Sequence, residues 1–243
     1  MFPILISLGP IHVYAYGTMI AIGVILSLVL IERNITNSSV EPSGVGDFIV
    51  LSVFSGIIGA RMLFVMVNWE QFRFDIMTVF FVWEGGLIFY GGFFTALCCI
   101  IVKSRRGAVP LRPLLDTIVP FVALTQGFGR IGCFLNGCCW GKETSMPFGV
   151  LFPHLSSPVH PVQLYESFWT LVLFFFLVYR SRHKKFDGEI LGWYGVLYGV
   201  GRFIIQFFRG DQPAILFFLD RPQLVSVVMV IIGLSVLTRR KST

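Results

Sequence analysis

The sequence predicts an all-α polytopic membrane protein with about seven transmembrane helices, and three observations carry that reading. Of 243 residues, 55% are hydrophobic and only 13% charged, with a mean hydropathy of +0.79, whereas soluble domains are about a quarter charged. The apolar residues gather into seven stretches near the length of about 20 residues that crosses a hydrocarbon core. The basic residues cluster in alternate connections between those stretches. Thirteen acids and 19 bases are too few for the polar shell of a soluble enzyme. A disordered chain and a disulfide-stapled secreted domain are excluded on the same composition.

The stretches run over 13–31, 47–67, 86–102, 114–131, 161–179, 189–208 and 224–238, with six spans as the alternative count. No basic residue precedes Arg33, which argues against a cleaved signal peptide before the first span. The first span opens on Tyr14-Ala-Tyr16-Gly17, and tyrosines at a span's edge are often interfacial anchors. The third is expected to start irregularly, because Gly85, Gly86, Gly91 and Gly92 crowd its beginning; there Tyr90 lies between two glycine pairs that open space around its hydroxyl. The fourth is expected to end near residue 131. The run from Gly127 to Gly141 after it holds five glycines, predicting a tight, non-helical backbone that lines a cavity with Arg130 aimed inward. Pro161 suits the first turn of the fifth span. In the sixth, Gly192, Gly195 and Gly199 form a small-residue stripe for close helix packing.

Arg33, Lys103, Arg105, Arg106, Arg112, Arg180, Arg182, Lys184, Lys185, Arg239, Arg240 and Lys241 fall on one side, twelve of the 19 bases. The opposite loops hold only Arg73, Lys142, Arg209 and Arg221. The positive-inside rule then puts the N-terminus outside and the C-terminus in the cytoplasm. Bases placed in this way mark topology, not a nucleic-acid surface. External segments are expected at about 68–85, with Asn68, Trp69, Trp83 and Glu84, and at about 132–160. Short periplasmic arms complete the picture.

Arg61, Arg130 and Arg202 remain, each within or at the outer end of an apolar run. An intramembrane arginine costs about 2.5–3.5 kcal/mol on insertion scales and is a functional hypothesis by default. The bland alternative is a structural ion pair with Asp116 or Glu166. Three such residues toward one leaflet favour an anion site. In the sixth span Tyr198, Arg202, Gln206 and Arg209 follow at i, i+4, i+8 and i+11, one polar stripe. Guanidinium forks of that kind suit a phosphate. His160 and Glu166 open the fifth span, with Gln163 and Glu166 on a common face.

Cys98 and Cys99 read as packing residues, while Cys133, Cys138 and Cys139 lie on the outer face, where packing or one structural disulfide is expected. No C-x-x-C pair or histidine cluster at zinc spacing is visible, so no metal or cofactor is expected.

Together these segments resemble the prolipoprotein diacylglyceryl transferase family of bacteria over almost the whole chain. The resemblance rests on the opening from Gly9 to Gly17, the G-A-R of the second span, G-G-L-x-x-Y-G-G at 85–92, G-R-I-G-C-F-L-N-G-C-C-W-G at 129–141, H-P-x-Q-L-Y-E at 160–166 and R-F-I-I-Q-F-F-R at 202–209. It implies one transmembrane catalytic domain over 1–243 in the bacterial inner membrane, its site facing the outer leaflet. The implied reaction moves the diacylglyceryl group of phosphatidylglycerol to the lipobox cysteine of a prolipoprotein, releasing glycerol phosphate. The family's signature arginine falls on Arg130, its sixth-span arginine on Arg202 and its first-span tyrosine on Tyr16; Asn136 and Gly141 fall on signature positions too. The chain departs from the pattern at Cys133 and Cys138, where the signature usually has Asn and Glu. It also departs at Tyr90 and Gln206, where the enterobacterial type has His and Glu.

On that reading Arg130 and Arg202 clamp the phosphate, with Arg61, Arg209 and Gln206 assisting. Tyr90 orients the thiol or phosphate, and His160 and Glu166 are fallback bases. The expected partners are phosphatidylglycerol, membrane lipid and prolipoprotein signal peptides, not nucleic acid. A transporter or flippase for an anionic lipid or metabolite is the alternative, although no internal repeat is evident. A vicinal-thiol oxidoreductase is a third possibility. An intramembrane protease lacks its Ser–His or paired-Asp site.

Overall fold

The computed structural model describes residues 3–8, 11–34, 42–82, 85–106, 110–210 and 219–238. A hairpin of β1 (Ile4–Leu8) and β2 (Ile11–Tyr14) leads into α1 (Ala15–Asn34), α2 (Pro42–Val67), the short α3 (Trp69–Phe72), a 3-10 helix (Ile76–Phe80) and α4 (Phe89–Arg105). Then come α5 (Leu111–Asn136), α6 (Val162–Ser181), α7 (Glu189–Gln206) and α8 (Arg221–Thr238). Each apolar stretch thus holds one long helix. Among the described residues four segments are long and apolar enough to cross a membrane, Val45–Val67, Leu111–Asn136, Val162–Ser181 and Arg221–Thr238; the apolar part of α1, Ala15–Ile31, is shorter. Large apolar side chains point outward along them, among them Phe54, Phe168, Phe175 and Ile231, as suits helices solvated by hydrocarbon.

The hairpin adds one small sheet to a helical frame that agrees with the all-α expectation. β1 and β2 pair antiparallel, Ile6 opposite Val13 and Leu8 opposite Ile11, and the signal was present as two β-branched runs around Gly9-Pro10. Trp83, Glu84, Arg239, Arg240 and Lys241 lie outside the described residues.

The chain forms two compact units, residues 38–114 and the flanking stretches 1–37 with 115–243. In the first, α2 and α4 meet along glycines. A side chain at Gly91 would begin 2.4 Å from the Gly59 carbonyl oxygen, and one at Gly59 would lie 2.1 Å from Thr95 Oγ1. Gly91 and Gly92 therefore serve this close approach rather than opening space around Tyr90, whose side chain is largely exposed. The irregular start of α4 is present: Gly85 and Gly86 have φ of 90° and 72°, and the helix begins only at Phe89.

In the second unit the glycine-rich run departs from expectation. α5 stays helical through Gly127, Gly129 and Gly132 to Asn136, so residues 132–136 belong to the helix and not to the loop that follows it. Its glycines clear room for neighbours. A Cβ at Gly132 would sit 3.0 Å from Tyr16 Cα, and one at Gly127 would sit 3.1 Å from Leu171 and Thr170. The stripe on α7 does pack closely, with Gly192 and Gly199 facing Leu237 and Ser226 of α8. An unforeseen capping box starts α8. Asp220 Oδ1 accepts from the Gln223 amide at 2.9 Å, and Gln223 Oε1 accepts from the Asp220 amide at 3.1 Å.

After α5 the chain turns at Gly137 (φ 72°) and Cys139 (φ 65°). The segment between α5 and α6 folds on itself through the bridges Glu143–Val159 and Val150–Val159, and Gly141 bridges Arg209 beyond α7. Phe152, wholly buried, anchors it against Phe134 and Trp140.

Candidate active site

Three arginines from two places in the chain converge on one carboxylate. The buried face of α6 carries Val162, Gln163, Glu166, Ser167 and Thr170, a helical repeat that turns Glu166 inward. Arg130 Nε, from α5, lies 2.7 Å from Glu166 Oε2. Arg202 Nη1, from α7, donates to Oε1 at 2.5 Å, and Arg209 Nη1 stands 3.6 Å from the same oxygen. The Glu166 side chain is 5% exposed; Arg209 and Arg202 are 7% and 13% exposed, and Arg130, at 26%, is the most open. A buried carboxylate beside one guanidinium forms a neutral pair. Here three guanidinium groups approach one carboxylate, so the cluster keeps positive charge.

Tyr198, one turn before Arg202, stacks on Tyr194 with ring centroids 5.3 Å apart, and Tyr194 donates to Gln126 Oε1 at 3.0 Å. A narrow crevice lined by Glu166, Trp169, Thr170, Tyr198, Arg202 and Ile205 enters beside the cluster. Tyr16 is half-exposed, and its phenol has Arg130, Cys133, Cys138 and Cys139 as electrostatic neighbours. Asn136 ends α5 beside the Cys138 thiol. Gly141 donates its amide to the His160 carbonyl at 2.9 Å. A side chain there would strike the Phe208 carbonyl at 2.6 Å, which explains glycine at that position.

Other expected site residues have different surroundings. The His160 ring bonds the Tyr165 hydroxyl at 3.2 Å and packs edge-on against Phe208. Gln206 is buried, its Nε2 donating to Asp220 Oδ2 at 2.6 Å and thereby tying α7 to the capping box of α8. Arg61, in the unit of residues 38–114, donates to the carbonyls of Val79 (2.9 Å), Thr78 (2.6 Å), Gly85 (2.7 Å) and Gly86 (3.3 Å). Phe64 and Phe72 flank its guanidinium. Tyr90 belongs to the same unit. Among the described residues Asp116 pairs with no arginine; it accepts from the amides of Gly188 (2.7 Å) and Leu191 (3.0 Å) and meets Lys184 at 3.5 Å.

The sequence reading missed a thiol cluster. All five cysteines are free thiols, and the sulfurs of Cys133, Cys138 and Cys139 lie within 4.8 Å of one another. Gln163 Nε2 holds the Cys138 carbonyl at 2.7 Å. The spacing C-x₄-C-C matches no common ligand pattern, so only the turn after α5 reveals the cluster.

The sequence profile of the prolipoprotein diacylglyceryl transferase family matches residues 3–239. The chain is 33% identical over 241 residues to the phosphatidylglycerol–prolipoprotein diacylglyceryl transferase of Clostridium tetani, covering 97% of this chain and 96% of that one. It is 31% identical to transferase 2 of Clostridium perfringens, covering 91% and 89%. It is 32% identical to the Streptococcus uberis enzyme, covering 98% and 95%. With a buried arginine cluster in an apolar helical frame and a family match along nearly its full length, this chain belongs to the prolipoprotein diacylglyceryl transferase family.

Proposed function

We propose that the chain carries out the reaction for which its relatives are named, transfer of diacylglyceryl from phosphatidylglycerol to a prolipoprotein, and that the cluster on Glu166 is where it happens. The observation that carries this is the sharing of one buried carboxylate by Arg130 and Arg202. The leftover positive charge complements a phosphodiester carrying one negative charge. Arg130, the most exposed member, meets the phosphate first, Arg202 holds it from α7, and Arg209 closes the far side. Glu166 aligns the forks and is too heavily paired to be a base.

In the transfer, the lipobox cysteine sulfur attacks the diacylglyceryl carbon bonded to the phosphate oxygen. A carbon–sulfur bond forms, the carbon–oxygen bond breaks, and glycerol phosphate departs with a second negative charge developing. Cations already in place favour that charge over the ground state, the form of stabilisation that lowers a barrier. Only a few per cent of a thiol near pKa 8.5 is ionised at neutral pH, and the same cations favour the thiolate. Tyr16, beside Arg130, orients the incoming groups. Asn136 and Gly141 shape the turn next to it. The parts given to Tyr90 and Arg61 rest on the sequence, which sets a hydroxyl between two glycine pairs and an arginine within an apolar run.

The chain works as one catalytic domain with seven spans in the bacterial inner membrane. The N-terminus lies outside, the C-terminus lies in the cytoplasm, and the arginine cluster faces the outer leaflet. The alternating basic loops support that orientation. The test is direct: incubate the purified protein in phosphatidylglycerol micelles with a lipobox peptide and measure the peptide's mass. A diacylglyceryl increment on cysteine that disappears with Arg130→Ala is expected. A folded protein that yields no adduct would sink the reading and turn attention to lipid flux.

A further inference from the structure

We propose that Cys133, Cys138 and Cys139 form a three-thiolate site for a soft or borderline d¹⁰ cation of the zinc–cadmium class, at the end of α5. The sulfurs are arranged for a shared centre: all three lie within 4.8 Å of one another, and those of Cys138 and Cys139 are 3.7 Å apart. Thiolates bound at about 2.3 Å around a tetrahedral zinc stand about 3.8 Å from each other.

Adjacent cysteines in an extended strand point to opposite faces. Here the backbone turns so that they do not. Gly137 has φ 72° and Cys139 φ 65°, the one non-glycine residue with positive φ among those described. Sparsely populated backbone of this kind persists where its surroundings enforce it. Two of those constraints do not involve thiols. The Cys138 amide donates to the Cys133 carbonyl at 3.2 Å, and Gln163 grips the Cys138 carbonyl at 2.7 Å.

Cys133 is buried while Cys138 and Cys139 are part-exposed, so an ion would enter from the loop side and keep its fourth position for water. Binding is ligation without redox change: three S–H bonds break, three metal–sulfur bonds form, and three protons leave. A divalent ion on three thiolates carries one net negative charge. Arg130 stands one turn earlier on the same helix face to meet it.

The site shares Arg130 with the proposed phosphate clamp, so its test reads metal rather than lipid. Purified full-length protein in detergent micelles is reduced, freed of reductant and titrated with Cd²⁺, then with Zn²⁺ in competition. The expected result is one equivalent bound, with thiolate-to-cadmium charge-transfer absorption and close to three protons released per ion. Cys139→Ser and Cys138→Ser, both on the turn, should each weaken binding by more than the roughly ten- to hundred-fold typical of an outer-shell partner. They keep the probe usable if buried Cys133→Ser fails to fold. The double variant Cys98→Ser with Cys99→Ser should bind as the parent does. The proposal is overturned if the reduced protein gives no charge-transfer band, if the band survives both turn variants, or if the thiols yield only a disulfide on isolation and bind no ion once reduced.

Discussion

Arg61 and Arg130 each put a guanidinium into an apolar helix, and their surroundings differ. Arg61 is 7% exposed and gives its hydrogens to four neutral carbonyls at residues 78, 79, 85 and 86. It fastens the 3-10 helix and the glycine turn to α2, and two aromatic rings close over it. Arg130 meets an acid that Arg202 also claims, and a quarter of its side chain is open. Neutral acceptors satisfy donors and complete a structure. A carboxylate shared among cations leaves charge over, and that charge is what an anionic headgroup can use. An intramembrane arginine therefore signals function according to how its donors are satisfied, not by its presence.

Replacing each arginine is the strongest way to break this contrast. Arg130→Ala should leave the protein folded and lower transfer by about 10²–10³-fold, the range for removing one group that stabilises developing charge. Arg61→Ala should instead strand buried carbonyls, each costing about 1–3 kcal/mol, and show as a lower unfolding temperature and poor recovery from membranes. Thermal unfolding and the peptide mass assay, run on both variants, separate the two. If Arg61→Ala were as stable as the parent and as inactive as Arg130→Ala, the distinction drawn here would fail.

Glu166→Gln probes the carboxylate itself. Removing one partner of a buried ion pair costs about 3–5 kcal/mol, so the variant should melt earlier and transfer about tenfold more slowly as the forks lose alignment. Anionic lipid should then restore more stability to the variant than to the parent, because the headgroup takes over part of the carboxylate's duty. The measurement is the shift in unfolding temperature between neutral and phosphatidylglycerol micelles. An equal shift in both proteins would mean that the headgroup does not reach Glu166's partners.

The helices were legible because hydropathy is written along the chain: all seven stretches carry a helix, and the α7 glycines pack on α8 as their spacing implies. Glycine in the membrane was the ambiguous letter. Between 127 and 132 it was read as broken backbone, yet α5 continues there and the glycines admit α1 and α6. At Gly85 and Gly86 the same letter does mark non-helical turns. Local sequence does not distinguish the two, since the deciding quantity is the distance to a neighbour. The candidate site was half legible. Arg130, Arg202 and Glu166 stood out as charges in apolar runs, but which arginine meets the acid and which meets carbonyls depends on tertiary placement. The thiol cluster depends on a turn at Gly137 and Cys139 that carries no recognised spacing.

The glycine seam of residues 38–114 offers a finer comparison with the arginine cluster. Gly59→Ala would put a methyl 2.1 Å from Thr95 Oγ1 and 2.7 Å from the Gly91 carbonyl oxygen. Overpacking of this kind costs about 1–3 kcal/mol. Pairing it with Thr95→Ser, which removes the methyl but keeps the hydroxyl, should recover little, because the nearest clash is with the oxygen itself; Thr95→Ala should recover more. Unfolding temperatures for the three variants order these outcomes. A seam that tolerates Gly59→Ala without loss would mean that α2 and α4 can separate at no cost, contrary to the packing described.

Tyr90→Phe should have the smallest effect. The ring is largely exposed and the substitution removes only a hydroxyl, so stability should stay within about 0.5 kcal/mol of the parent, as for surface changes away from special features. An orienting hydrogen bond is worth about 0.5–1.5 kcal/mol, which predicts a loss in transfer rate of about two- to tenfold. The assay should be repeated across pH 6–9, because a hydroxyl that only orients scales the rate equally at every pH. If it takes the thiol proton, its loss should change the shape of the profile and exceed the tenfold limit. A uniform, small reduction would leave the developing negative charge, and the arginines that meet it, as the larger part of the barrier.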